Sequence, residues 1–162
     1  MTDIKQVTLV SMDGEEFLVD PDVLCMSQLL QSMIEASGVA EPIPIPNVKG
    51  KTLKRVIDYC VAHKEKIPLE IEKPLKSANF AQIVSEEDYN FVDIDQESLF
   101  ELILAANFLN IKPLLDLTCG KVASMIKGKN VEEIRRQFNI INDFTPEQEA
   151  QIRDENKWCE ST

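Results

Sequence analysis

Leu99-Phe100-Glu101-Leu102-Ile103-Leu104-Ala105-Ala106-Asn107-Phe108-Leu109 is apolar on almost every face of a helix. Asp95 just ahead of it supplies a capping carboxylate, so the stretch predicts a helix that begins there. A helix without a polar face needs cover on more than one side. The run therefore predicts either a central helix enclosed by its own fold or a ridge that a partner completes. Glu101 and Asn107 interrupt it, and it is far shorter than the roughly 20 apolar residues that cross a bilayer, so it is no membrane span.

Downstream of this stretch, Pro113 opens a helix carrying Leu114, Leu115, Leu117, Val122, Met125 and Ile126, which Gly128 stops. Asn130 with Glu133 three residues on caps a short helix holding Val131, Ile134 and Phe138. Thr145-Pro146-Glu147-Gln148 combines a capping threonine, a proline at the first helical position and a glutamine at the third, and so starts a last helix. That helix is polar on nearly every face, with only Ala150, Ile152 and Trp158 available to bury. Ile134, Phe138, Ile140, Ile141, Phe144 and Trp158 thus gather near the end of the chain with few apolar segments left to cover them. Large apolar and aromatic side chains left on a surface are the usual anchors of protein interfaces.

Upstream, Val7 and Leu9, then Phe17 and Val19, alternate with polar neighbours on either side of Asp13-Gly14, which predicts an opening hairpin. Pro21 begins one or two short helices that end at Gly38. Pro42-Ile43-Pro44-Ile45-Pro46 suits only a short edge strand or an extended segment, because three prolines lack N–H donors. Leu53, Val56, Ile57, Cys60 and Val61 define an amphipathic helix ending near His63. From Lys64 to Asp95 the periodicity fails, and the stretch reads as a long, partly disordered loop with a short helix inside it. A small sheet followed by helices makes the class α+β.

The 162 residues are enough to bury a core without disulfides or metal. A net charge of -11 repels phosphate backbones, and no basic strip offsets it, so no nucleic-acid partner is expected. The charge is uneven: residues 1–98 hold 18 acidic and 9 basic side chains, whereas 99–162 hold 10 and 8. The second portion is nearly neutral and suits apolar partners. The opening Met1-Thr2-Asp3-Ile4-Lys5 carries an acid with no apolar stretch behind it, which is unlike a secretory leader.

Little in the sequence encodes chemistry. Cys25, Cys60 and Cys119 lie in apolar helical patterns and read as core residues, while Cys159 stands among acids in the terminal segment. Four scattered cysteines predict a reduced setting, cytoplasmic or nuclear. The single histidine, His63, reads as an exposed or snorkelling side chain at a helix end rather than a catalytic base. Neither zinc ligands nor a glycine-rich phosphate cradle is spaced as such sites require, so no metal, no cofactor and no enzyme activity is expected. Glu86-Glu87-Asp88 reads as a solvated loop.

The helix from Leu99, together with Leu114-Leu115-Asp116, Met125-Ile126-Lys127-Gly128-Lys129, Glu132-Glu133-Ile134-Arg135, Phe138-Asn139-Ile140, Asn142-Asp143-Phe144-Thr145 and Glu155-Asn156-Lys157-Trp158-Cys159-Glu160, resembles the S-phase kinase-associated adaptor family of SCF (Skp-cullin-F-box) ubiquitin ligases. The likeness reaches back through Asp13-Gly14, Pro42 to Val48 and the helix before His63, leaving out only the loop after Lys64. It implies a BTB/POZ fold over residues 1–126, with a long loop at 64–95, and F-box-binding helices over 127–162. It also implies a non-catalytic adaptor that joins a cullin to F-box proteins, and a weak homodimer when no F-box protein is present. By resemblance, Asn107 and Phe108 match the cullin contact, where Phe108 replaces the family's tyrosine. Phe100, Ile103, Leu115, Ile134, Phe138, Ile140 and Trp158 match positions that meet the F-box. Pro146 matches a proline that similar proteins of some protists hydroxylate and glycosylate, and it equally serves as a plain helix starter. The family's acidic, proline-rich loop is replaced here by Ile67-Pro68-Leu69-Glu70-Ile71 and Ser85 to Tyr89. On this reading the polar last helix orders when a receptor covers Trp158. The alternatives are an adaptor outside ubiquitination, a sibling of the elongin C kind, which the helices from Glu132 to Trp158 argue against, and a thiol-dependent ubiquitin carrier.

Overall fold

Asp13-Gly14 turns the chain between β1 (Val7–Val10) and β2 (Glu16–Val19), with Gly14 at φ +81°, a left-handed conformation that glycine adopts without steric cost. In the computed structural model, which describes residues 6–66 and 68–159, β1 is the central strand of a three-stranded sheet. Met1 to Lys5, Ile67 of the divergent loop and Glu160 of the closing motif lie outside the described residues. β2 pairs antiparallel to β1, with Leu9 opposite Phe17, and β3 (Ile43–Pro44) pairs parallel, with Leu9 opposite Ile43. Proline is tolerated in β3 because the strand lies at the sheet edge. Val7 and Leu9 alternate inward and are fully buried.

The chain divides into two compact units, residues 1–127 and 128–162. In the first, a 3-10 helix over Pro21–Met26 leads into α1 (Gln28–Ser37). The Ser27 hydroxyl accepts from the Leu30 amide at 3.1 Å and donates to the Leu109 carbonyl at 2.5 Å, so one buried side chain both caps α1 and ties it to a distant helix end. α2 (Gly50–His63) begins at Lys49, which cannot cap it. The carboxylate of Asp13 does so instead, accepting from the Gly50 amide at 2.7 Å across from the hairpin turn. The Ser11 hydroxyl and that amide hold the Asp13 carboxyl below its usual range.

α4 (Gln96–Phe108) and α5 (Lys112–Ile126) form the helical side of the core with α2. Leu53, Val56 and Cys60 of α2, Leu99 and Leu102 of α4, and Leu114 and Leu117 of α5 are buried, as helical spacing predicts. Cys25 and Cys119 are not core residues: both are exposed, and only Cys60 is buried. The apolar positions near them are filled instead by Leu24 and Leu117.

The stretch 64–95, expected as a long and partly disordered loop, is more ordered than its lack of periodicity suggests. Ile71 and Phe80 are buried, Phe80–Gln82 forms a 3-10 turn, and α3 spans Glu86–Val92. Glu86, Glu87 and Asp88 are therefore the first turn of a helix capped by Ser85, where the helix dipole favours acids, and not a solvated loop. His63 is also not exposed. It is buried, its ring stacked on Tyr59 at 4.0 Å between centroids, with Nδ1 2.9 Å from the Tyr59 carbonyl and Nε2 2.8 Å from the Asp88 carboxylate. Its partner stands 25 residues further along the chain, beyond the reach of helical spacing.

The second unit contains α6 (Val131–Gln137) and α7 (Pro146–Glu155), then a 3-10 turn over Lys157–Cys159. Both helices open on the capping boxes that the sequence announces: Asn130 with Glu133, and Thr145 with Gln148. Asn139 takes φ +53° where the chain leaves α6.

Two stability predictions follow from the packing of the stretch 64–95. A Cβ on Gly120 would lie 3.1 Å from the Phe80 ring and 3.4 Å from Ile71. Gly120→Val is therefore expected to cost about 1–3 kcal/mol in urea unfolding, and an unchanged midpoint refutes this packing. Removal of the ring in His63→Ala leaves the partly buried Asp88 carboxylate short of a partner, with an expected loss of roughly 1–3 kcal/mol. The same variant is expected to expose α3 amides to hydrogen exchange before those of α2.

Candidate functional site

The two faces of α4 differ sharply. Leu99, Leu102, Ala105 and Ala106 point into the core, whereas Phe100, Leu104, Asn107 and Phe108 fall on the opposite side at intervals of three and four residues. Leu104 is 68% exposed, and Phe100 and Phe108 are each more than a third exposed. Of the two readings left open for this helix, the structure selects a partly exposed ridge. Leu104 joins the site residues expected from the sequence, four residues after Phe100 and four before Phe108 on the same face. Met12, exposed on the hairpin turn, borders a cleft of about 170 Å³ with Val48, Thr52 and Leu104. At its edge Glu101 pairs with Lys49 and accepts from the Thr52 hydroxyl at 3.2 Å, and the Lys49 hydrogen bond holds its carboxyl below the usual range.

Ile103 and Leu115, also expected at a binding surface, are half-buried and packed on the core of the first unit. Ile134, Phe138, Ile140, Trp158 and Pro146 belong to the second unit. There Ile134 and Phe138 are half-buried, Ile140 and Trp158 are exposed, and Pro146 stands exposed in the first turn of α7. None of residues 128–159 is buried. Trp158 is 76% exposed and Ile141 84%, with Val131, Phe144 and Ile152 exposed as well. A set of helices carrying this much apolar surface and no core of its own is unusual for a self-sufficient unit.

What joins α7 to α6 is largely polar. Arg135 Nη1 and Arg153 Nη2 each lie 3.3 Å from Glu149 Oε1, Asn142 donates to Glu149 Oε2 at 3.2 Å, and Arg153 also pairs with Glu132. The Arg135 hydrogen bond is the first cause that holds the Glu149 carboxyl below its usual range. Val131, Phe144 and Ile152 line a small cleft beside this network. Sequence reading missed the network, although Glu149 and Arg153 stand four residues apart in the favourable order for a helical ion pair.

Among the described residues no three His, Cys, Asp or Glu side chains are placed to hold a metal ion, and no helix is long and apolar enough to cross a membrane. Burial pushes the Cys60 thiol up to about 12, and partial desolvation beside Asp116 also raises that of the exposed Cys119, which works against a thiolate nucleophile at either position.

Residues 5–65 match the POZ portion of the Skp1 family, described as its tetramerisation domain, and residues 112–159 match the Skp1 family dimerisation domain. The chain belongs to the Skp1 family. The POZ match covers the sheet, α1 and α2, so the α+β architecture is a POZ fold with further helices. The chain is 54% identical over 156 residues to the S-phase kinase-associated protein 1 homolog of Tetrahymena thermophila, covering 96% of this chain and 94% of that one. It is 50% identical over 155 residues to SKP1-like protein 1A of Arabidopsis thaliana, covering 96% and 97%. With the E3 ubiquitin ligase complex SCF subunit sconC of Arthroderma benhamiae it shares 49% over 160 residues, 98% of each chain.

The inequality of the two faces of α4 is open to a direct test. Leu102→Ala, in the core, is expected to cost about 2–5 kcal/mol, whereas Leu104→Glu, on the ridge, stays within about 0.5 kcal/mol of the parent. Equal losses by thermal or urea unfolding contradict the assignment of an outer face.

Proposed function

We propose that this chain is the non-catalytic adaptor of an SCF ubiquitin ligase, joining a cullin scaffold to F-box substrate receptors. The observation that carries the reading is the second unit, whose residues 128–159 expose Ile140, Ile141, Phe144 and Trp158 and bury none of their own number. Large apolar and aromatic side chains exposed together suit a protein partner and not a small substrate. The relatives named as SCF subunits supply the partner's class. In this reading Ile134, Phe138, Ile140 and Trp158 of the second unit, with Phe100, Ile103 and Leu115 of the first, meet the F-box. Asn107 and Phe108 meet the cullin, and Phe108 contributes ring packing without a hydroxyl.

The adaptor works by geometry. It fixes a receptor at one end of a scaffold so that substrate and activated ubiquitin meet at high effective concentration, while other subunits perform the chemistry. The net charge of -11 keeps nucleic acid from competing. A weak homodimer of the free chain and residence in cytoplasm and nucleus belong to the same reading. Exposed Pro146 is its candidate modification position, visible by intact mass as an added oxygen with or without sugar.

Two pairs of changes separate the surfaces in binding to a purified F-box domain and a purified cullin. Phe138→Ala or Trp158→Ala is expected to weaken F-box binding by about 2 kcal/mol or more with cullin binding spared. Asn107→Lys combined with Phe108→Lys is expected to do the reverse. If neither pair alters either affinity, the two-surface assignment is wrong.

A further inference from the structure

Within the first unit, α5 turns a run of small side chains toward the segment that follows Lys64. Cys119, Gly120 and Ala123 share one side of the helix and, with Ile71, Pro74 and Leu75 of that segment, line a cavity of about 380 Å³. Ile71 and Phe80 pack at Gly120, which keeps the loop wall against the helix. A cavity of several hundred Å³ with mainly apolar walls and a few polar groups is characteristic of small-molecule sites. The adjoining clefts, of about 430 and 550 Å³, are walled largely by Glu70, Glu72, Lys76 and Lys112 and give an apolar group little cover.

The charges around the cavity narrow its ligand. Lys73 Nζ stands 3.1 Å from Asp116 Oδ1, so these two compensate each other. Lys127, where α5 ends, also lines the cavity and has no ion pair among the described residues. An apolar space therefore adjoins one uncompensated cation. The carbonyl end of α5 is itself partly negative, so an anion placed there depends on the Lys127 ammonium and not on the helix. The loop wall belongs to the stretch that the family likeness leaves out, which makes the cavity a feature of this chain's own sequence.

We propose that the cavity between α5 and residues 71–75 binds a fatty-acid-like monocarboxylate, with its apolar tail against Cys119, Gly120 and Ala123 and its carboxylate paired with Lys127. The inference is independent of the adaptor reading.

The test uses the full chain and sodium decanoate below its micellar concentration. Amide shifts in a titration give the dissociation constant, and they are expected to centre on Gly120, Ala123 and Leu75. Alkylation by iodoacetamide, read peptide by peptide, gives a second measure. At ten times the dissociation constant Cys119 is expected to react about tenfold more slowly, while exposed Cys25 and Cys159 keep their rates as internal references. Decanol, with the same tail and no charge, is expected to bind about two- to fivefold more weakly, the reach of an exposed ion pair. Lys127→Gln is expected to remove that difference by weakening decanoate alone. Ala123→Leu, which fills the cavity from an exposed helix position, is expected to abolish binding of both probes with its urea midpoint at the parental value. Acetate, a carboxylate without the tail, is expected to leave shifts and alkylation unchanged. Shifts spread equally over the exposed apolar surfaces at Leu104 and Ile141, or full binding in Ala123→Leu, overturn the site. Equal affinities for decanoate and decanol in the parent overturn the carboxylate. N-acetylleucine carries the same chemistry as the end of a peptide chain, and tighter binding of it than of decanoate rules against a free fatty acid.

Discussion

The inner face of α4 is the constraint on which the first unit depends. Leu99, Leu102, Ala106 and Leu109 recur at helical spacing with essentially no exposure, and α2 and α5 both pack against this helix. Removing each such leucine from water contributes about 1.5–3 kcal/mol, which outweighs any single polar contact in the fold. Ala105 and Ala106 keep that face low, so neighbouring helices approach closely. The Leu109 carbonyl at its end receives the Ser27 hydroxyl, and the start of α1 is placed by the same helix.

The opposite face of α4 follows a different logic. Phe100, Leu104 and Phe108 lie outside the buried core and leave apolar surface exposed. The second unit extends the pattern, with exposed apolar side chains on helices held by caps and ion pairs. Stability is thus concentrated in residues up to Lys127, while surface available to partners is concentrated on the outer face of α4 and after Gly128. An adaptor benefits from that separation, because a side chain already committed to a core has little left to offer a partner.

Polar side chains from distant positions hold what apolar burial does not. Asp13 caps α2 from the hairpin, His63 ties α2 to the start of α3, and Glu149 draws α6 and α7 together. Each satisfies a group that its local sequence leaves short: a helix amide behind a lysine, an acid in a first turn, an arginine beside a tight turn. Such links are directional, and those among exposed charges weaken as salt rises.

Periodicity and capping chemistry by themselves determined the hairpin at Asp13-Gly14, the helices from Leu99 and Pro113, and both capping boxes near the end, because these signals act within four residues of chain. The quoted motifs also carried the family likeness. Tertiary structure alone decided which side of α4 is outer, since its hydrophobicity is nearly uniform around the helix and only the positions of α2 and α5 break that symmetry. It likewise decided the burial of His63 against Asp88, the docking of Ile71 and Phe80 beside Gly120, the exposure of Cys25 and Cys119, and the Arg135 link to Glu149. In most of these cases the deciding partner lies 14 or more residues away, where a pattern read along the chain has no reach.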